Sequence, residues 1–391
     1  MKLRKITPLS RDYLEQIGFS WHTDEDGSDY IESELVELTQ QQAEAFYAAA
    51  NELYDMYVAA AQYVIDNDLF SELEIPFNLI EAIKMSWEND VHWHLYGRFD
   101  LAGGIDGKPI KLIEFNADTP TCLFETAILQ WAALKQNSLD EGRQFNNLYE
   151  ALSKNFKRLV TLGEETEEFE NLYEGWKILF SSVRGLDEEE KTVRLLQSAA
   201  EAAGFVTNFA YADEVEFDDE SGIWFNGENY EYWFKLIPWE SIAIEESALA
   251  LYLTNIMKNQ KAIILNPAYT LLFQSKGIMK VLWDLFPNHP LLLQSDFTSL
   301  PNVKQVRKPF LAREGANVTI FDENGRVVAN NGGEYEEGKF LWQEFNEFCK
   351  DEAGAKYQAG VFFAYEACAL GFRKGGEILG NSSKFVGHLI K

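Results

Sequence analysis

The chain has 391 residues, 46% of them hydrophobic, and a formal net charge of −29 at pH 7. This length is enough for two or three packed lobes. The acid excess argues against nucleic acid as a partner, since phosphate binding needs a basic face, and no apolar run of about eighteen residues is present to span a membrane. An acidic surface suits a cationic substrate such as a polyamine, but it also accounts for solubility alone.

The N-terminus and the cysteines bear on localisation. The start, MKLRKITPLSRDY, is positively charged but has no apolar segment after it, so no secretory signal is predicted. Cys122, Cys349 and Cys368 are widely spaced and odd in number, which indicates reduced thiols. We therefore expect a cytoplasmic protein.

The first predicted element is a long helix over about residues 39–67. Thr39 followed by Gln42 fits a capping box, and apolar residues then recur at helical spacing. From about residue 91 to 118 the period changes to two, which predicts a hairpin around the turn AGGIDGKPI. Helices are expected again at about 125–135 and 144–162.

The middle of the chain has the pattern of a parallel sheet. WKILFSS predicts a buried strand, LDEEEKTVRLLQSAAEAAGF a helix ending at Gly204, and VTNFAYADEV a second strand. GIWFNGENYEYWFK predicts a hairpin, KAIILNP a buried strand, and SKGIMKVLWDLFP a helix closed by Pro287. The last ninety residues alternate strands and Gly-rich turns, and GKFLWQEFNEFCK is expected to form an amphipathic helix. A mixed α/β arrangement, α/β followed by α+β, is the simplest account.

The hairpin carries the strongest chemical signal. Alternation places Arg98 and Asp100 on one face of its first strand, and Glu114 and Asn116 on one face of the second. The turn does not fix the register. If the pairs face each other, three oxygen donors of the class that Mg²⁺ prefers lie beside a cation. Spacing alone is equally compatible with a solvated arginine–carboxylate face.

The segment after the hairpin is open to two interpretations. Thr119, Thr121 and free backbone N–H groups near a helix start at about Leu123 could form an anion seat. Thr121 could equally be a plain N-cap. Cys122 is better explained as a small buried thiol than as a nucleophile. His92 and His94 share a strand face, but without a third soft ligand nearby they are expected to pack or hydrogen-bond.

Three further basic residues lie in suggestive positions. Lys308 and Arg313 flank a loop in residues 307–318 that could close over phosphates, although a basic turn is the simpler explanation. Lys276 is expected at a strand-to-helix junction, where it could reach a nucleotide or merely be solvated. Arg373 lies on a late strand before a turn.

Together these segments resemble a known family. GRFD…IEFNADTPTCLFE, FKLIPWE, NPAYTLLFQSKGIMKVLWDLFPNHPLL and RKPFLAREGANV occur in the order seen in the synthetase domain of glutathionylspermidine synthase and its short bacterial relatives. The resemblance implies an ATP-grasp-like fold with a pre-ATP-grasp region and helical and lid segments. It implies a substrate-binding region over about 1–260, including the hairpin 96–118, and a nucleotide-binding lobe over about 261–391, with 307–318 covering the phosphates.

The resemblance also implies roles for individual residues. The Mg²⁺ ligands would be Asp100, Glu114 and Asn116. The catalytic arginines would be Arg98 and Arg373. The residues that bind ATP would be Arg98, Lys276, Lys308 and Arg313. The residues near the peptide and polyamine substrates would be Thr119, Thr121, Glu188 and Glu189.

The implied activity is that of an ATP-dependent carboxylate–amine ligase. A small-molecule or peptide carboxylate would be activated as an acyl phosphate, and an amine such as a polyamine would displace the phosphate, with release of ADP. Two departures weaken the substrate end: Thr119 and Thr121 stand where the family has serines, and no amidase-like region precedes the synthetase motifs, so the chain is not expected to be the bifunctional enzyme. The alternatives are a non-catalytic nucleotide- or peptide-binding protein and a phosphotransferase that stops at a phosphorylated product.

Overall fold

The computed structural model describes residues 1–24, 26–163, 165–335, 337–380 and 382–391. Its strands, in chain order, are β1 (Leu3–Lys5), β2 (Ile31–Leu38), β3 (Gly97–Ala102), β4 (Lys111–Asn116), β5 (Lys177–Ser182), β6 (Val206–Tyr211), β7 (Glu216–Asp218), β8 (Gly222–Phe225), β9 (Glu228–Tyr230), β10 (Tyr232–Lys235), β11 (Ile263–Leu265), β12 (Ser295–Asp296), β13 (Gln305–Pro309), β14 (Thr319–Phe321), β15 (Val327–Asn330), β16 (Phe340–Glu344), β17 (Cys349–Lys350), β18 (Lys356–Ala364), β19 (Glu366–Gly375) and β20 (Lys384–Ile390).

The α-helices are α1 (Arg11–Gln16), α2 (Gln40–Asp66), α3 (Ile80–Glu88), α4 (Gln130–Gln136), α5 (Leu148–Thr161), α6 (Phe169–Leu172), α7 (Asp187–Ala203), α8 (Trp239–Glu245), α9 (Ser247–Lys258), α10 (Thr270–Gln274) and α11 (Ile278–Leu285). A π-helical turn, Glu125–Leu129, leads into α4. Short 3₁₀ turns occupy Leu69–Ser71, Phe77–Leu79, Thr166–Glu168 and Ala212–Glu214. Within the described ranges, no helix is both long and apolar enough to cross a bilayer.

The largest sheet, called here the central sheet, joins early and late parts of the chain. Its strand order is β1-β2-β20-β19-β18-β3-β4, with β17 paired to β18. The hairpin β3–β4 therefore pairs with β18, which is followed by β19. The predicted division at residue 260 stays a prediction, and the central sheet takes strands from both sides of it.

The other sheets flank this one. The parallel sheet has the order β11-β10-β5-β6, and helix α7 packs on β5 and β6, as the strand–helix–strand pattern predicts. The outer sheet has the order β12-β16-β13-β14-β15, and the small sheet is β7-β8-β9. Lys308 lies in β13, and the loop that follows passes close to Leu379, in the connection between β19 and β20.

Helix α2 covers one face of the central sheet. Its capping box, Thr39 with Gln42, forms as predicted. Tyr57 of α2 packs on Phe99 and Phe115, whose rings stack with centroids 3.8 Å apart. Because strand side chains alternate, the neighbours of these phenylalanines project from the opposite face. The apolar core of α2 thus fixes which face of the hairpin is left for polar side chains.

The predicted helix GKFLWQEFNEFCK is wrong. These residues form β16 and β17 instead. Leu341 and Gln343 are buried while Glu344 is exposed, and β16 pairs with β12 and β13. The aromatic residues of this segment suit a strand as well as a helix, and the neighbouring strands decide between the two.

Candidate active site

The polar face of the hairpin is assembled by its register. In the β3–β4 pair, Arg98 lies opposite Asn116 and Asp100 lies opposite Glu114. Arg98 donates from Nε and Nη2 to the two oxygens of Asp100 at 2.7 and 3.0 Å, and Asn116 Nδ2 donates to Asp100 Oδ2 at 3.3 Å. Arg98 and Asp100 are 7% and 3% exposed. The face is therefore a buried, bidentate ion pair, and the solvated alternative is excluded.

A neighbouring strand leaves room for the arginine. Gly360 on β18 pairs with Asp100, and a Cβ at this position would lie 3.1 Å from Arg98 Cδ. The guanidinium also donates from Nη1 to the carbonyl of Thr121 at 2.7 Å. Arg98 is thus held by Asp100 on its own strand and by the segment after the hairpin, in space that Gly360 leaves open.

A second set of charges lies beside the first. Lys276 Nζ is 3.2 Å from Glu114 Oε2 and donates to the carbonyl of Ala312 at 2.6 Å. Lys308 donates to the carbonyl of Ile113 at 2.9 Å. Burial raises the pKa of Glu114, but Lys276 and Lys308 outweigh it and hold this pKa below its ordinary value.

The two lysines differ from expectation in their local context. Lys276 lies between α10 and α11, so the expected strand-to-helix junction is wrong, and its 7% exposure excludes the solvated alternative. Burial and the neighbouring Lys276 lower the pKa of Lys308 to about 8, against the opposing effect of Glu114. Lys308 donates to a carbonyl of the hairpin and Lys276 lies beside Glu114 of the hairpin, so both ammonium groups point towards it.

The segment after β13 reaches across to the end of β4. Arg313 donates from Nη2 to Glu240 Oε1 at 2.5 Å and from Nη1 to Thr119 Oγ1 at 3.2 Å. Gly315 has a φ of +68°, and a Cβ there would lie 2.5 Å from the carbonyl oxygen of Leu379. The loop thus depends on a glycine where it passes the late strands.

Arg373 completes the charged wall from β19. It pairs in register with Gln358, and its Nη2 donates to the carbonyl of Gly380 at 2.7 Å. Its Nε is buried and has no hydrogen-bond partner among the described residues. A buried, unsatisfied guanidinium N–H is costly unless another group accepts from it, so this N–H group of Arg373 is free to donate into the site.

The acidic pair lies in the first turn of α7. Burial raises the pKa of Glu188 to about 8; the nearby Glu125 adds to this shift, whereas Arg373 opposes it. Burial also raises the pKa of Glu189, and Glu189 Oε2 has no hydrogen-bond partner in the described part of the chain. The two carboxyls are thus partly desolvated and available to a cationic group.

A buried network supports the end of β4. Asp118 and Lys235 are fully buried, with Nζ 3.1 Å from Oδ1, and the backbone N–H of Trp239 donates to Asp118 Oδ2 at 2.9 Å. The Trp239 indole donates to the carbonyl of Asn266 at 3.1 Å, so this buried N–H group has the hydrogen-bond partner that it needs. These contacts lock the direction in which residues 119–121 leave the hairpin.

These side chains surround a polar cavity of about 200 Å³, called here the charged cavity. Its lining includes Arg98, Asp100, Glu114, Asn116, Thr119, Thr121, Glu189, Arg313 and Arg373. A narrower cavity of about 100 Å³, called here the apolar cavity, adjoins it and shares Glu114 and Gly315. Lys276 and Lys308 line the apolar cavity together with Leu293, Val306, Ile320, Phe345 and Leu379. Glu188, the residue before Glu189 in α7, lines neither cavity.

The donor set fits a hard divalent cation. Asp100 holds Arg98 through both oxygens, but a carboxylate has about four lone-pair sites, so further coordination is open to it. No cluster of three His, Cys, Asp or Glu side chains suited to a metal occurs in the described ranges. Two carboxylates, Asp100 and Glu114, and the amide oxygen of Asn116 match a Mg²⁺ ion that keeps water and phosphate ligands.

Several site residues were not anticipated from sequence. Glu125 is 1% exposed and accepts a hydrogen bond from the Trp21 indole at 3.2 Å. Glu240 anchors Arg313, and Gln358 lines both cavities. The sequence signal that could have identified such residues is a polar residue inside an apolar run, as Glu125 is in CLFETAIL and Gln358 is in KYQAGVFFA.

The remaining expectations concern the cysteine and the histidines. Cys122 is buried, and burial raises the pKa of its thiol to about 11, as expected for an inert thiol. His94 packs on Tyr54, and its ring nitrogens lie 3.2 Å from the Tyr54 hydroxyl and 3.0 Å from the carbonyl oxygen of Ala117. His94 is therefore a packing and hydrogen-bonding residue, as predicted.

Comparison with known proteins agrees with this architecture. The family model described as glutathionylspermidine synthase pre-ATP-grasp matches residues 1–391. A protein of Haemophilus influenzae named as an acid–amine ligase is 29% identical, over 99% of both chains. The bifunctional glutathionylspermidine synthetase/amidase of Escherichia coli is 25% identical over 82% of this chain, which spans only 53% of that longer relative.

A solved structure is similar in fold. The glutathione synthetase-like effector of Globodera pallida superposes with a TM-score of 0.58 over 98% of each chain, at 10% identity. The mixed α+β, ATP-grasp-like fold class predicted from sequence is thereby confirmed. With the family model matched from end to end, the chain belongs to the glutathionylspermidine synthase pre-ATP-grasp family.

Proposed function

We propose that this protein is an ATP-dependent ligase that joins a carboxylate to an amine through an acyl phosphate and releases ADP and phosphate. The observation that carries the proposal is the charged cavity, where a buried arginine–aspartate pair faces a glutamate held by lysine. Such preorganised charge is what phosphoryl transfer needs, because positioning and charge neutralisation supply most of its catalysis.

The nucleotide would span the two adjoining cavities. The apolar cavity offers aliphatic and aromatic side chains to a base, and Lys276 and Lys308 lie at its border with the charged cavity. Both lysines are buried, so their attraction for phosphate oxygens is little screened by water. Arg313 would cover the phosphates from the loop, held in place by Glu240.

Mg²⁺, bound by Asp100, Glu114 and Asn116, would supply neutralising charge for the phosphate oxygens. Arg98 would hold an oxygen of the γ-phosphoryl group while a substrate carboxylate attacks the phosphorus and ADP leaves. Arg373, with its unpartnered Nε, would contact the same phosphoryl group from β19. The buried position of Arg98 would help to keep water from the acyl phosphate.

The acidic pair would receive the amine. Glu189 lines the charged cavity with an unpartnered oxygen, and Glu188 lies next to it in α7. An ionised carboxylate there would attract a cationic amine and accept the proton that the ammonium group must lose before its nitrogen can attack the acyl carbon. The second N–H proton would leave with the departing phosphate as the amide forms. Thr119 and Thr121 would lie beside the carboxylate substrate.

The test is release of ADP in the presence of paired substrates, with glutathione and spermidine as the first pair. We expect turnover only when carboxylate and amine are both present, and loss of about 100-fold or more in kcat for Arg98→Ala and Glu114→Ala. The exposed Arg326→Ala is the matched control and keeps the wild-type rate.

Three results would count against the proposal. Wild-type turnover in both site variants would refute the site. Binding of ATP without ADP release, across a panel of carboxylates and amines, would favour a non-catalytic binding protein. Formation of a stable phosphorylated product without any amine would indicate a phosphotransferase.

A further inference from the structure

A second large cavity lies on the face of the central sheet opposite to Arg98 and Asp100. Its volume is about 630 Å³, and it is called here the aromatic cavity. Its walls come from α2, the end of α3, the segment before β3, α10 and the β18–β19 turn. Phe363 pairs in register with Gly97, on the same face as Phe99, so the sheet itself separates this cavity from the charged cavity.

Half-exposed rings dominate the walls. Tyr54, Trp87, Trp93 and Tyr365 are all partly accessible and line the cavity. They are held rigidly: Tyr54 stacks on Phe363 with centroids 4.0 Å apart, and Trp93 stacks over Tyr365 at 6.2 Å. Fixed aromatic faces attract cations through the quadrupole of the ring.

The chain itself already uses one of these rings in this way. The guanidinium carbon of Arg158 lies 3.9 Å from the centroid of the Tyr365 ring. This contact occupies one face of Tyr365, and Tyr54 already stacks with both Phe363 and His94, so the rings of Trp87 and Trp93 remain for another cation. A cavity wall that holds a guanidinium of the protein has the chemistry to hold an external ammonium group.

The polar groups of the cavity complement a positive charge. Asp55 and Asp90 are exposed at its rim, and their carboxylates form no ion pair or hydrogen bond with any residue in the described ranges. His92 is 7% exposed, and its Nδ1 has no hydrogen-bond partner there either. Burial lowers the pKa of His92 to about 4, so the ring is neutral near pH 7 and adds no repulsion.

We propose that the aromatic cavity is a binding site for a small organic cation of the ammonium class, separate from the site of ligation. The partly exposed rings of Trp87 and Trp93 supply the faces, and the carboxylates of Asp55 and Asp90 supply the charge. The proposed site also gives a role to His92, a buried polar residue whose Nδ1 has no hydrogen-bond partner among the described residues. This inference does not depend on the proposed ligase activity, because it concerns the other face of the sheet.

The probe is tetramethylammonium, which cannot act as an amine nucleophile and therefore does not report on turnover. Its binding to the full-length protein is measured by isothermal titration calorimetry at constant ionic strength, with neutral tert-butanol as a ligand of similar shape. We expect saturable binding of the cation alone. The double variant Asp55→Asn, Asp90→Asn weakens binding at least tenfold, whereas Glu44→Gln, Asp66→Asn, which removes two exposed charges from α2 outside the cavity, does not.

Two further variants separate the cavities. Trp87→Leu weakens tetramethylammonium binding about threefold, the size expected for one cation–π contact. Asp100→Asn leaves this binding unchanged, since Asp100 lies on the other face of the sheet. Any one of four results would overturn the inference. Two concern the ligands: no saturable heat with tetramethylammonium, or equal binding of tert-butanol. Two concern the variants: equal weakening in the two double variants, or loss of binding in Asp100→Asn.

Discussion

Replacing Arg98 with alanine would leave the buried Asp100 carboxylate without its main partner. Arg98 donates two hydrogen bonds to Asp100 and one to the carbonyl of Thr121, and Asp100 would keep only the 3.3 Å contact from Asn116. Breaking a buried ion pair from one side costs about 3–5 kcal/mol, because the remaining charge is desolvated and unpaired. We expect Arg98→Ala to lose this much of its free energy of unfolding.

Adding Asp100→Asn to Arg98→Ala separates the structural role from the chemical one. The amide removes the unpaired charge, and an unsatisfied neutral group costs only about 1–3 kcal/mol. The double variant should therefore regain about 2 kcal/mol relative to Arg98→Ala. Its turnover should stay at least about 100-fold below wild type, because the charge that holds the phosphoryl group is still missing.

The assay pairs urea unfolding, followed by circular dichroism, with ADP release on the same preparations. Arg326→Ala, an exposed arginine on the β14–β15 turn, controls for loss of a guanidinium without a buried partner. A loss of less than 1 kcal/mol in Arg98→Ala would refute the cost assigned to the buried pair. Recovery of turnover in the double variant would show that Arg98 acts only as a counter-ion for Asp100.

Three more predictions concern Glu114 and Gly315, which line the charged cavity, and Glu188, which neighbours Glu189 in α7. Folding lowers the pKa of Glu114, so its ion pair stabilises the fold fully above the ordinary glutamate pKa, and this stabilisation is lost as the pH falls below that value. The free energy of unfolding in urea should therefore change less between pH 6 and pH 3 in Glu114→Gln than in wild type. Glu188 ionises near pH 8, so the KM for the amine should fall as pH rises through 8 in wild type, and initial rates for Glu188→Gln should lack this step. Gly315→Ala should raise the KM for ATP, and in thermal melting it should destabilise the fold by more than Gly325→Ala. Both glycines have positive φ, but only a Cβ at Gly315 would meet a backbone atom, the carbonyl oxygen of Leu379. Equal effects of the two substitutions would refute the clash.

The hairpin shows how far sequence alone could reach. Alternation correctly put Arg98 with Asp100 and Glu114 with Asn116, because a buried phenylalanine separates the members of each pair. The register between the pairs was beyond reach from sequence, since the turn between β3 and β4 contains several residues and the sheet has a bulge after Asp100. Packing of α2 on the opposite face determines it.

The two lysines and the strand mistaken for a helix show what local sequence patterns cannot predict. From sequence, Lys276 could equally be a solvated lysine, and a basic turn was the simpler explanation of Lys308. Contacts with Ala312, Glu114 and Ile113, which are distant in sequence, direct the two lysines inward. In GKFLWQEFNEFCK the helical and strand patterns coincide, and pairing with β13 decides the outcome. Both cases depend on neighbours far away in sequence, which local propensity does not contain.

The pairing of β3 with β18 has a consequence for how the site comes into being. Asp100 lies beside Gly360, about 260 residues later in the chain. Contacts of such long range form slowly, since a large loop must close before they stabilise anything. The hairpin can fold early with its arginine and aspartate already paired, but the pocket around them closes only after the late strands arrive. A nascent chain would therefore carry its charged centre exposed to water, unable to hold a nucleotide, until almost all of the sequence has been synthesised.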